Sequence, residues 1–191
     1  MSEPNTLVVV VLVLVAIGWY LSYSAARLDR LHARVQGTLA ALDAQLVRRA
    51  EATLELANSG FLDAASALML ASAASDSLSA AEDEDTDADR QRFSHDREGV
   101  ESRLSEALSL ALSADALATV SEAGGFGDDI VSRVRATGLR VQLARRFHND
   151  AVTDVRRVRR KWIVAWFRLA GHTDMPQTVE FVDALPHGLR G

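Results

Sequence analysis

The chain contains no cysteine. Disulfides, thiol nucleophiles and cysteine-ligated zinc are therefore excluded. Proline is scarce as well, with three in 191 residues. Because Pro breaks a helix interior and the abundant Ala and Leu suit one, this scarcity favours helices. Strand signals are essentially missing, and no internal repeat of fixed period occurs. What is present is a globular balance, 48% hydrophobic and 25% charged, in a chain long enough for one domain with a real core. The net charge of −5 argues against nucleic acid as the main partner. That charge is uneven: Glu82 to Asp89 is nearly all acid and Arg156 to Lys161 nearly all base.

Leu7 to Tyr23, "LVVVVLVLVAIGWYLSY", carries no charge, and its length of about 17 residues reaches the lower limit for crossing a hydrocarbon core. A cleaved signal peptide is the competing reading, with Ser22 and Ser24 as small residues near a cut. Such peptides begin with basic residues, and "MSEPNT" has none. Trp19, Tyr20 and Tyr23 cluster at one end as an interfacial belt, followed by Arg27, Arg30 and Arg34. Arginine on that side predicts a short outside N-terminus, residues 1–6, and a cytoplasmic bulk.

Beyond the span, apolar steps of three and four predict four amphipathic helices at 24–58, 61–81, 90–121 and 129–169, with an irregular tail at 171–191. The first continues the membrane helix without a break, and Gly60 ends it. "EDEDTDAD" is expected as a solvated acidic loop, and "GGFG" at 124–127 as a turn after which Asp128 or Asp129 caps the last helix. In that helix Val134, Val141, His148, Val155 and Trp162 recur every seven residues, a bundle seam. The fold class expected is all-α: a transmembrane helix continuing into an antiparallel up-down-up-down four-helix bundle.

"LARRFHNDAV", Leu143 to Val152, places His148, Asn149 and Asp150 inside a helix where Asn and Asp are poor residues. Counting about 1.5 Å per residue from the lower ends sets Gln45 and His148 both roughly 32 Å up. "DAQLVRR" should then face "RRFHND" in one polar inter-helix layer of Asp43, Gln45, Arg48, Arg49, Arg145, His148 and Asn149, a register lock rather than a reaction centre.

These two stretches behind a single membrane helix resemble the LemA family. Asp43, Gln45, Leu46, Arg48 and Arg49 match its early motif. Ala144, Arg145, Asn149 and Val152 match the late one, with His148 in the usual Tyr place. The resemblance implies an N-terminally anchored antiparallel helical bundle and no known reaction.

Chemical readings are weaker. A di-iron bundle needs several Glu-x-x-His pairs, and Asp29-x-x-His32 is the sole acid-x-x-His pair. Asp83, Asp85 and Asp87 alternate as in a calcium loop, yet Ala88 and Ser94 stand where Gly and Glu are required. Gly124, Gly125 and Gly127 follow no strand, so they are no dinucleotide fingerprint. No catalytic, cofactor or metal residues are assigned. The basic aromatic stretch of Arg156, Arg157, Arg159, Arg160, Lys161, Trp162 and Trp166 is expected to return to the membrane and rest on anionic headgroups. The competing reading puts Trp162 in the bundle core under a basic outer face. The sequence thus predicts a non-enzymatic, single-pass membrane scaffold or interaction protein with an unknown protein partner and no nucleic acid. The alternatives are a metal-binding bundle enzyme and a coiled-coil signalling relay.

Overall fold

The computed structural model describes residues 3–86, 93–122, 124–160 and 175–190. Five α-helices run through them: α1 Glu3–Ala57, α2 Ala64–Thr86, α3 His95–Ala111, α4 Ala114–Glu122 and α5 Gly125–Arg159. A single 3-10 turn, His187–Leu189, follows near the end. No strand occurs among the described residues.

The 55-residue α1 has two characters. Every described side chain from Leu7 to Tyr20 is exposed, Trp19 by 77%. From Leu28 onward one face goes inside, with Leu28, Val35, Leu42, Leu46 and Leu56 buried. The helix stops at Gly60, whose φ of 78° suits only a residue without a side chain. Asp63 then opens α2, its Oδ1 accepting from the backbone N–H groups of Ala65 and Ser66 at 3.0 Å each.

Three helix bounds depart from the pattern in the sequence. First, α2 continues to Thr86 through acids expected as a loop. An exposed helix end solvates carboxylates as a loop does, and Ala and Glu favour it. Second, the long third helix is two. Buried Leu112 ends α3 at ψ 60°, and the Ser113 hydroxyl accepts from Ala116 N–H at 3.2 Å to start α4. The Ala stripe runs on through this break, so periodicity alone conceals it. Third, α5 begins at Gly125 after Gly124 at φ 79°, with no side-chain cap from Asp128 or Asp129. There α4 and α5 touch so closely that a Cβ on Gly127 would meet the Val120 carbonyl oxygen at 2.2 Å.

The chief helix pairs are α1 with α5, α1 with α2, and α2 with α3. The C-terminal segment 175–190 runs between α3 and α5 and is hydrogen-bonded to both. That segment is irregular, as expected, but it is part of the core: Val179, Phe181, Leu185 and Leu189 are buried. Gly138, a weak residue inside α5, acquires a reason here. A Cβ at that position would stand 2.5 Å from the Leu185 Cδ2 atom.

Candidate functional site

The heptad seam of α5 lies inside as its spacing indicates, with Val134, Val141, His148 and Val155 buried. Trp162, the next member, lies outside the described residues. The register against α1 differs from the expected one. Val158 shares a cluster with Leu28, and Val141 with Leu42 and Leu46. His148 Nδ1 stands 3.3 Å from the Thr38 hydroxyl. His148 is thus level with Thr38, seven residues or roughly 10 Å below Gln45. The expectation had set Leu169 level with Ser24, whereas α5 meets Leu28 already at Val158. The seven polar residues therefore divide instead of forming one layer.

Asp43 and Arg49 belong to an upper set that joins α1 to α3. Arg49 Nη2 reaches Glu101 Oε2 at 2.6 Å, and its Nη1 donates to the Ser105 hydroxyl at 3.0 Å. Arg97 Nε donates to Glu101 Oε1 at 2.8 Å, and its Nη2 meets Asp43 Oδ1 at 3.4 Å. The Ser77 hydroxyl of α2 donates to the same Oε1 at 2.8 Å. Arg49, Arg97 and Glu101 are at most 3% exposed. Two guanidinium cations around one carboxylate are balanced by the half-exposed Asp43. Arg49 Nε and Arg97 Nη1 find no partner among the described residues. Glu101 escaped the sequence reading although a signal existed: it falls three residues before Leu104 and seven before Leu108, on the buried stripe of α3.

Arg145, His148 and Asn149 form a lower set, and what they hold is the C-terminal segment. Asn149 Nδ2 donates to the Val179 carbonyl at 3.1 Å while Val179 N–H donates to Asn149 Oδ1 at 2.9 Å. Arg145 Nε donates to Asp183 Oδ2 at 2.8 Å, and Gln142 Nε2 to the Asp183 carbonyl at 2.7 Å. Arg156 Nε donates to the Pro176 carbonyl at 3.0 Å. From the other side, Glu98 and Ser102 of α3 accept from the Glu180 and Val182 N–H groups. Phe181 links the two sets, with the Arg49 and Arg145 guanidinium carbons 5.9 and 5.6 Å from its ring centre and Phe93 stacked at 6.2 Å. Gln45 and Arg48 join neither set. Arg48 is exposed, and the Gln45 Oε1 atom is buried without a partner among the described residues.

His148 is 2% exposed. Burial pushes its imidazole below the usual range, while hydrogen bonding at Gln177 and Val35 pulls the other way. Its Nε2 lies 3.4 Å from the Gln177 carbonyl, which can only accept, while its Nδ1 lies beside the Thr38 hydroxyl, whose hydrogen is directed at the Arg34 and Val35 carbonyls. The adjoining cavity, about 20 Å³ between Val35, Phe93 and Gln177, has room for a water molecule and none for a substrate. Asp150 is exposed.

At the lower end Arg27, Arg30, Arg157 and Arg160 are exposed around the Leu28–Val158 contact. His32 lies among them, its pKa lowered by burial first and by the Arg159 cation second. Lys161 and Trp166, expected with them at a membrane surface, fall outside the described residues along with Trp162. Trp19, Tyr20 and Tyr23 are exposed on α1. The segment from Thr6 is long and apolar enough to cross a membrane by length and composition. Comparison with known proteins gives no match to a protein family, a curated protein or a solved structure.

Proposed function

We propose that the chain is a single-pass membrane protein whose helical domain serves as a scaffold or interaction surface at the cytoplasmic face. The carrying observation is the contrast within α1. Leu7 to Tyr20 leave every described side chain uncovered, while the same helix buries Leu28, Leu42 and Leu56 in its own fold. An uncovered apolar cylinder of that length is stable in lipid, where each backbone group is satisfied within the helix. Trp19, Tyr20 and Tyr23 suit the interface, and the arginines after them suit the inner side. In this reading α1, α2, α3 and α5 make an antiparallel four-helix bundle of LemA type, with the tail sealing its fourth side. The basic foot at Arg156, Arg157, Arg159 and Arg160, continued by Lys161, Trp162 and Trp166, rests on anionic headgroups.

The arrangement of polar residues supports a structural role for them. Arg49, Arg97, Glu101, Arg145 and Asn149 each bind another part of the fold, and the cavity beside His148 excludes a substrate. The test is fractionation of cells expressing the full chain and a variant lacking residues 2–23. Full chain retained in membranes after alkaline extraction, the variant released, and the C-terminus protected in intact cells are expected. A soluble, processed full chain would replace the anchor with a signal peptide. Metal stoichiometrically bound to the purified full chain would overturn the non-enzymatic reading.

A further inference from the structure

One edge of the α1–α5 seam is a ladder with seven-residue steps. Arg34 pairs with Asp154 at 3.3 Å, and at its other end Glu55 pairs with Arg133 at 3.3 Å. Between these ion pairs the same register leaves two rungs, Ala41 with Phe147 and Arg48 with Arg140. The Arg48–Arg140 rung sets like charges level with one another. Both are exposed, and neither has a hydrogen bond or ion pair among the described residues. The Ala41–Phe147 rung is an open groove of about 260 Å³, floored by Ala41, Leu143, Ala144 and Phe147. Leu143 and Phe147 are each 52% exposed. Gln45 also contributes to this lining.

We propose that this groove docks an acidic amphipathic helix of a partner protein. Apolar side chains of that helix fill the space between Ala41 and Phe147. A carboxylate one rung away lies between Arg48 and Arg140. Charge complementarity chooses this occupant: a ladder that closes with opposite charges at both ends presents two bare cations in between. The groove falls short of the roughly 300–1,000 Å³ of a small-molecule cleft and is open along the helices, the geometry of helix-in-groove recognition. Two copies joined through the same patch would oppose arginine to arginine, since such an interface is self-complementary. Headgroups lie out of reach, because Ala41 stands roughly 27 Å beyond Tyr23 along α1. This inference rests on the interaction-protein reading and names the chemistry of its partner.

The test uses the full chain in neutral-lipid nanodiscs. The probe is a synthetic amphipathic helical peptide with two leucines one turn apart and a glutamate two turns from the first. Versions with Gln or Lys replacing the glutamate are measured beside it by fluorescence anisotropy. The glutamate peptide should bind saturably and at least tenfold tighter than the lysine version. Arg48→Glu with Arg140→Glu should reverse that order while thermal unfolding is unchanged. No saturable binding, equal binding of all three peptides, or indifference to the double substitution would overturn the proposal. So would a change in the oligomeric state of the chain on double substitution, which would assign the groove to a second copy. The double variant should still sediment with membranes, so a failure here is separate from a failure of anchoring.

Discussion

Asn149 and Val179 are joined as neighbouring residues of two strands would be. The side-chain amide donates an N–H to the Val179 carbonyl and accepts the Val179 N–H. A helix has no free backbone to offer an extended segment, so the amide stands in for it. This is why a residue that weakens a helix interior occurs in the middle of α5. Asn149→Ala should leave a buried N–H and C=O of Val179 unpaired at a cost of about 1–3 kcal/mol. Asn149→Asp keeps the acceptor and loses the donor, so it should fall between. Thermal unfolding of the full chain in detergent, with limited proteolysis near residue 179, checks both. Loss of stability without faster cleavage of the tail would contradict the strapping role.

Acidification should loosen the same region. Burial lowers the folded-state pKa of His148 below its ordinary value of 6.5. The unfolded chain then binds the extra proton more readily than the fold does. The contribution of His148 is therefore full above about pH 6.5 and is lost progressively as pH falls below it. His32 acts in the same direction, its pKa also lowered by burial. The informative quantity is the difference from a His148→Gln variant, which should lose part of the stability slope between about pH 7 and 5. A wild-type slope identical to that of the variant would remove His148 from the account.

The buried charges between α1 and α3 make a separate prediction. Glu101 accepts from Arg49, Arg97 and Ser77 at once. Glu101→Ala leaves two interior guanidinium groups with only partly exposed Asp43 nearby, at a cost of about 3–5 kcal/mol. Replacing Arg49, Arg97 and Glu101 together by Met, Met and Leu should cost far less, because no charge is left stranded. Chemical denaturation in detergent measures both. A triple variant as damaged as the single one would mean that shape, not charge, decides there.

Much of this fold can be read from periodicity, and the omissions have physical causes. The apolar run at Leu7–Tyr23, the stop at Gly60 and the seven-residue seam through His148 are local patterns, so they are visible in the chain. The α3–α4 break is not, because alanine continues across it. The docking of the tail is also long-range. Val179 and Phe181 read as isolated apolar residues until α3 and α5 supply the polar rims around them. The polar layer was legible as residues but not as pairs, since a shift of two turns between α1 and α5 redirects every partner. Arg145 and Asn149 turn to the tail, and Arg49 turns to Glu101.

Gly138 and Leu185 give the last prediction, and it concerns a sign. Glycine inside α5 costs about 1 kcal/mol relative to alanine. Gly138→Ala should recover that amount, but its Cβ would lie 2.5 Å from Leu185 Cδ2. Overpacking of that kind costs about 1–3 kcal/mol. The single substitution should therefore be neutral to destabilising. Once Leu185→Ala removes the clash, the same substitution should stabilise by about 1 kcal/mol. A double-mutant cycle by chemical denaturation isolates the term. Additive effects would show that Leu185 rotates away freely, and the glycine would then have no packing reason to be there.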